Sequence, residues 1–194
     1  MIELIASVYE QLGDTRCNFE CCDTTFRIQA TGVRVDAAVT AARETVESLE
    51  AQLNAFDAAS AVSQLNREGE VKNEHVARIV RRGLEYNGRT EGVFDIHQGR
   101  VEQDLKAFLR GNSETPATSF DTGIVRVSGP HVTTDTELDL NGLAKGYIVD
   151  RASEALRGVG RRGFVSGGGD MSPPTGPVAI ESPYGDDTPL KILD

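Results

Sequence analysis

At 194 residues the chain is long enough for one domain with its own hydrophobic core, or for two small lobes sharing one. Thirty Asp and Glu against 20 Lys and Arg give a formal charge of −10, the wrong sign for a protein that binds nucleic acid through its phosphates. No run approaches the ~20 consecutive apolar residues of a membrane span, so neither nucleic acid nor membrane is an expected partner.

The cations are lopsided, because lysine occurs only at Lys72, Lys106, Lys145 and Lys191. Strong acidity with scarce lysine suggests a halophilic cytoplasm of high salt, where carboxylates keep the surface hydrated and their repulsion is screened. The thermal midpoint is then expected to rise from low to molar salt, and equal midpoints would overturn that reading. Met1 to Tyr9 show no basic region, long apolar segment or small-residue cleavage site, and no Cys follows a short apolar run. The expectation is a soluble, cytoplasmic protein. Cys17, Cys21 and Cys22 fit neither a disulfide framework nor a zinc site and are read as ordinary reduced, half-buried residues.

In chain order, Thr24 to Ala30 alternates with Phe26, Ile28 and Ala30 on one side, the period of a half-buried strand, and Thr31-Gly32 then predicts a turn. From Asp36, its expected cap, an amphipathic helix carries Val39, Ala42, Val46, Leu49, Leu53 and Phe56 on one face. Asn73 caps a second helix with a Val76, Ile79, Val80, Leu84 stripe and a stop at Gly88, its Arg78, Arg81 and Arg82 facing water. A polar stretch from Gly111 to Thr122 leads into a meander of short strands at 124–127, 132–134 and 138–140. A helix from Leu143 to Leu156 and short strands at 164–165 and 178–180 follow. Strands and helices without strict βαβ alternation indicate an α+β fold.

Four segments hold candidate chemistry. The densest is 138–150, where a strand is expected to deliver Asp139 to the start of a helix whose first turn carries Lys145. Unpaired amides, a positive helix end and an ammonium converging there suit a diphosphate. Asp139 is free to hold a ribose hydroxyl, an adenine amine or a metal, and a carbonyl near Gly142 is a possible hard-metal ligand. The plainer alternative makes Asp139 a helix cap and Lys145 a solvated surface residue. Ser166-Gly167-Gly168-Gly169-Asp170 either lets a backbone approach a ligand or makes a tight strand crossing. In Gly92-Val93-Phe94-Asp95-Ile96-His97 an aromatic beside an acid suits a flavin or adenine ring, while His97 is more ordinarily a hydrogen-bonded surface residue. Phe56-Asp57, Ser60 and Leu65-Asn66 end the first long helix, where Asp and Ser commonly form a local turn.

Taken in order, these segments resemble the FAD:protein FMN transferase family, once known as a thiamine-biosynthesis lipoprotein family. The most specific match is Asp139-Leu140, Ala144-Lys145-Gly146-Tyr147 and Asp150; Phe56-Asp57 with Ser60 and Leu65-Asn66, Gly92-Val93-Phe94-Asp95 and Gly168-Gly169-Asp170 accompany it. Cys22-Asp23-Thr24 stands where the family has Met-Gly-Thr, and His97 where it usually has Thr.

The resemblance implies an antiparallel-rich mixed sheet packed with amphipathic helices, the N-terminal portion of the flavin transferase fold. Residues 1–194 would form a single domain lacking the family's C-terminal segment, which normally brings most metal ligands and a histidine thought to assist transfer. It further implies FAD contacts from Phe56, Val93, Phe94, Asp95, Asp139 and Lys145, and a magnesium ion facing the main-chain oxygen of Gly142. The implied reaction cleaves FAD with Mg²⁺ and places FMN on a Thr or Ser of a target flavoprotein. The alternatives are a non-catalytic FAD-binding protein, or one half of a split transferase completed by a separately encoded C-terminal half.

Overall fold

The computed structural model describes residues 13–32, 34–115, 123–158, 162–172, 178–180, 182–183 and 190–193. The Met1 to Tyr9 segment and the end of the polar stretch, 116–122, lie outside them. The elements run β1 (Gly13–Cys21), β2 (Thr24–Gly32), α1 (Val35–Leu53), α2 (Ala61–Glu68), β3 (Glu70–Lys72), α3 (Glu74–Arg89) and α4 (Gly99–Leu109). Then come β4 (Val125–Ser128), β5 (His131–Thr134), α5 (Asn141–Gly158), β6 (Arg162–Gly167), β7 (Asp170–Met171), β8 (Val178–Ile180) and β9 (Lys191–Leu193). The chain divides into two compact units, one of residues 1–47 with 148–194 and the other of residues 48–147.

In the first unit the sheet order is β1-β2-β6-β7, antiparallel throughout. Phe26, Ile28 and Ala30 are buried as their alternation predicts. The expected turn at Thr31-Gly32 is instead the end of β2, because Gly32 still pairs with Gly13 of β1. The turn lies before β2, at Cys22 and Asp23, whose φ of 54° and 55° are those of a tight two-residue hairpin. Its other strand, β1, escapes an apolar pattern because Thr15, Cys17, Phe19 and Cys21 make its alternate positions. All three cysteines are half-buried thiols outside any disulfide, as expected. Gly168 and Gly169, at φ 54° and 97°, make a second tight hairpin between β6 and β7. The glycine-rich segment is thus a strand reversal, the plainer of its two readings. Helix α1 starts at Val35, so Asp36 lies inside its first turn and accepts a hydrogen bond from Thr15 Oγ1 at 2.8 Å rather than capping the helix.

In the second unit β3, β5 and β4 form an antiparallel sheet. Helix α3 is capped as predicted, with Asn73 Oδ1 accepting from the amides of His75 and Val76 at 2.9 and 3.1 Å, and Arg78, Arg81 and Arg82 are exposed. Ser60 does more than shape a turn. Its Oγ accepts the Ser63 amide at 3.0 Å and starts α2, which Gly69 ends with φ 76°.

Residues 138–140 correct the expected meander, since they pair with no strand and the third strand of the sheet is β3. Their alternation is real, for Leu138 and Leu140 are buried on either side of a half-exposed Asp139. Their backbone partners differ: Asn66 Nδ2 donates to the Leu138 carbonyl at 3.0 Å and Asn66 Oδ1 accepts the Leu138 amide at 2.9 Å. The Asp139 amide donates to the Ile96 carbonyl at 2.9 Å. A two-residue period reports where side chains point, and it is silent about what satisfies the backbone. Helix α4 answers to no predicted element. Among its residues only Gly99 is buried, and Gln98 provides no side-chain cap, so neither periodicity nor a start signal marks it.

Candidate functional site

The second unit holds a cavity of about 300 Å³ lined by the Phe56 loop, Asn66, one face of α4 and the segment from Leu138 to Asn141. That volume lies at the small end of ligand sites, with room for one ring system and its substituents. Helix α1 stops at Leu53, which leaves Phe56 beyond it and 65% exposed. Asn54 Oδ1 and Asp57 Oδ1 accept the amides of Phe56 and Ala59, each at 2.9 Å, and so fix the loop.

Across the cavity α4 presents Glu102 and Lys106, one turn apart. Lys106 Nζ is 2.5 Å from Glu102 Oε1 and 5.1 Å from the centre of the Phe56 ring. Glu102 and Asp139 both line the cavity, near enough for their carboxyl groups to share a hydrogen bond when one of them is protonated. Burial, then this bond and the negative charge of Glu102, push the Asp139 carboxyl up to about 6, against the opposing pull of the Asn141 amide and Lys106. Glu102 moves the other way, held below the usual carboxylate value by the Asp139 hydrogen bond and then, against its own burial, by Lys106. Neither Glu102 nor Lys106 is among the residues expected from the sequence. Lys106 is one of four lysines in the chain, a scarcity that marks it as readily as it marks Lys145.

The cavity brings together two of the expected residues, Phe56 and Asp139. Lys145 and the 93–95 loop are not in its lining. Helix α5 begins two residues earlier than predicted, which places Lys145 in its second turn rather than its first. The amides expected to be open at that helix start are partly in use. Asn141 donates to Asp139 Oδ1 at 2.8 Å, and Leu143 and Ala144 donate to the Leu140 carbonyl at 3.0 and 2.8 Å.

In the 90–97 loop Glu91 and Gly92 both have positive φ, 53° and 83°. They turn Val93 outward, where it is 90% exposed. Phe94 packs edge-on to Tyr86 at 6.0 Å, and a side chain at Gly142 would meet its ring at 3.5 Å, so this loop borders the start of α5. Asp95 spends both oxygens on its own loop. Oδ1 lies 2.5 Å from His97 Nδ1 and accepts the His97 amide at 3.1 Å, while Oδ2 accepts from Gln98 Nε2 at 2.7 Å. Burial alone would raise its pKa, but these hydrogen bonds outweigh burial and hold it below the usual value. Among the described residues no group of three His, Cys, Asp or Glu is placed to hold a metal, so they do not make up a magnesium site by themselves. None of the described helices is long and apolar enough to cross a membrane.

A sequence model of the ApbE family matches residues 22–193. The chain belongs to the ApbE family. Solved structures share its fold at low identity. The ApbE protein from Thermotoga maritima superposes with a TM-score of 0.75 at 21% identity, over 93% of this chain and 67% of that one. Flavin transferase ApbE from Vibrio cholerae gives 0.70 at 20% identity, over 89% of this chain and 65% of that one. Flavinyl transferase ApbE from Pseudomonas stutzeri, in its apo form, gives 0.70 at 18% identity, over 95% and 68%. These likenesses establish the antiparallel α+β fold expected from the sequence, and this ApbE-family chain spans about two thirds of their lengths. No curated protein matches it.

Proposed function

We propose that the chain acts as an FAD:protein FMN transferase, cleaving the FAD pyrophosphate and placing FMN on a Thr or Ser hydroxyl of a target flavoprotein. The observation that carries this reading is the family match over residues 22–193, joined to a cavity lined by both Asp139 of the most specific motif and the exposed Phe56. In the reaction a bond forms between the acceptor hydroxyl oxygen and the FMN phosphorus. The pyrophosphate P–O bond breaks, AMP leaves, and the hydroxyl proton passes to solvent. Chemistry of this kind rests on positioning and on stabilising charge as it shifts to the departing phosphate.

Each residue of the chain then has a distinct part. Phe56 offers an apolar face to a planar ring, and Asp139 hydrogen-bonds a polar edge beside it. Val93 and Phe94 form an apolar border next to the start of α5, with Asp95 bracing their loop. Lys145 adds positive charge one turn into α5. Magnesium enters through the resemblance, with the Gly142 main-chain oxygen as the one ligand carried over; bound there, it would neutralise diphosphate charge.

The test is incubation of the purified chain with FAD, Mg²⁺ and a flavoprotein that carries an acceptor Thr, at high salt, following AMP by chromatography, with Lys145→Ala and a chelator as controls. AMP release that both controls abolish is the expected result. Bound FAD with no AMP from the folded chain would make it a flavin binder and overturn the transferase reading.

A further inference from the structure

Phe56 and Asp139 lie far apart in sequence, yet α4 touches both through two residues that the family resemblance does not name. We propose that Glu102 and Lys106 are positioning residues that preset this pocket, Glu102 holding the Asp139 carboxyl and Lys106 tying Glu102 to the ring of Phe56. As a deepening of the transferase reading, the inference rests on that reading for the identity of the ligand. The geometry behind it does not.

Glu102 and Asp139 face the same cavity, and because two ionised carboxylates have no hydrogen to share, a bond between them forms when the pair holds one proton. Below about pH 6, where Asp139 keeps its proton, the pair carries a single negative charge, and Lys106 at 2.5 Å balances it. In that range the wall facing the cavity is neutral as a unit, and the pair offers an acceptor together with a proton. Such a wall suits the hydrogen-bonding edge of an uncharged planar ring rather than a diphosphate. The other charged groups around Asp139 are few. Arg110, just after α4, lines the same cavity, and the Asp95 and His97 pair flanks the Ile96 carbonyl that takes the Asp139 amide. From the Phe56 loop and α2 the cavity lining brings only neutral residues, Ala55, Phe56 and Asn66.

The measurement is the carboxyl ¹³C titration of Asp139 by NMR, together with FAD affinity, in the wild-type chain and in Glu102→Gln, Lys106→Met and Lys106→Arg. Glu102→Gln is expected to lower the Asp139 midpoint, because the amide donates to an ionised carboxylate and the competing acid is gone. Lys106→Met is expected to raise the midpoint, and Lys106→Arg to restore it. FAD affinity is expected to fall about 10-fold in Glu102→Gln and about 5-fold in Lys106→Met, with Lys106→Arg near the wild type. An Asp139 midpoint unmoved in both Glu102→Gln and Lys106→Met would overturn the inference, whether or not FAD binds. Midpoints that move as stated in a wild-type chain that binds no FAD would support the positioning roles and sink the transferase reading instead.

Discussion

Asp139→Asn is expected to weaken FAD binding roughly 10- to 100-fold, the worth of one or two hydrogen bonds to a charged or proton-sharing group, while making the folded chain more stable above pH 6. The two effects share one cause. Burial and the neighbouring Glu102 lift the folded-state pKa of Asp139 to about 6 from an ordinary carboxyl value of 3.8. Between those values the folded chain keeps a proton that the unfolded chain has released. A carboxyl raised in this way contributes stability at low pH and loses it as pH climbs through the window from about 4 to about 6. Glu102 works in the opposite sense, because its lowered pKa contributes stability above its ordinary 4.5 that is lost as pH falls.

Asparagine keeps the acceptor for the Asn141 amide and donates to the Glu102 carboxylate, but it cannot ionise. Its advantage over wild type should therefore grow from pH 4 to pH 6 and then level off, at about 1 kcal/mol once solvent screening of a half-exposed group is allowed for. Thermal midpoints from pH 4 to 8 would read this as a gain of roughly 3 °C on the alkaline side. A variant with the same pH profile as wild type would show that the Glu102 contact has no bearing on Asp139. A variant that binds FAD normally would remove Asp139 from the site. Gain of stability with loss of binding is the pattern of a group held in an unfavourable state for the sake of its ligand.

Gly99→Ala should be the more damaging change to the fold. A β-carbon at Gly99 would sit 2.8 Å from the carbonyl carbon and oxygen of Glu137 and from the carbonyl carbon of Leu138, all main-chain atoms that no rotamer change can move aside. The Gly99 amide also donates to the Glu137 carbonyl at 3.1 Å, so contact and hydrogen bond depend on the same approach. Overpacking of this kind costs about 2–3 kcal/mol, a drop of roughly 5–10 °C in thermal midpoint for a chain of this size.

Because Leu138 adjoins Asp139, the displaced segment should also lower FAD affinity in samples held well below the new midpoint. Gly88→Ala is the matched control. It lies in α3 with nothing within 4 Å of the added carbon and should be neutral or stabilising by about 0.5–1 kcal/mol. Equal midpoints for Gly99→Ala and wild type would mean that residues 137–139 give way freely and that Gly99 does not pin them.

Local periodicity and local capping are legible in the sequence. The alternation of Phe26, Ile28 and Ala30, the Val76, Ile79, Val80 stripe behind an Asn73 cap, and the run from Asp139 to Asp150 were all readable, because each depends on residues a few positions apart. The family followed from the order of such segments. The rest arises from contacts between segments distant in sequence. Residues 138–140 alternate like a strand, yet their backbone is held by the side chain of Asn66 and the Ile96 carbonyl, partners no period can announce. Helix α4 buries only Gly99 of its own residues, so it leaves no stripe to read. The site acquires Glu102 and Lys106 solely because folding sets that helix against Asp139 and Phe56. Hydrophobic pattern records which residues leave water, whereas a half-exposed polar pocket is specified by contacts between distant segments, and those exist only once the chain has folded.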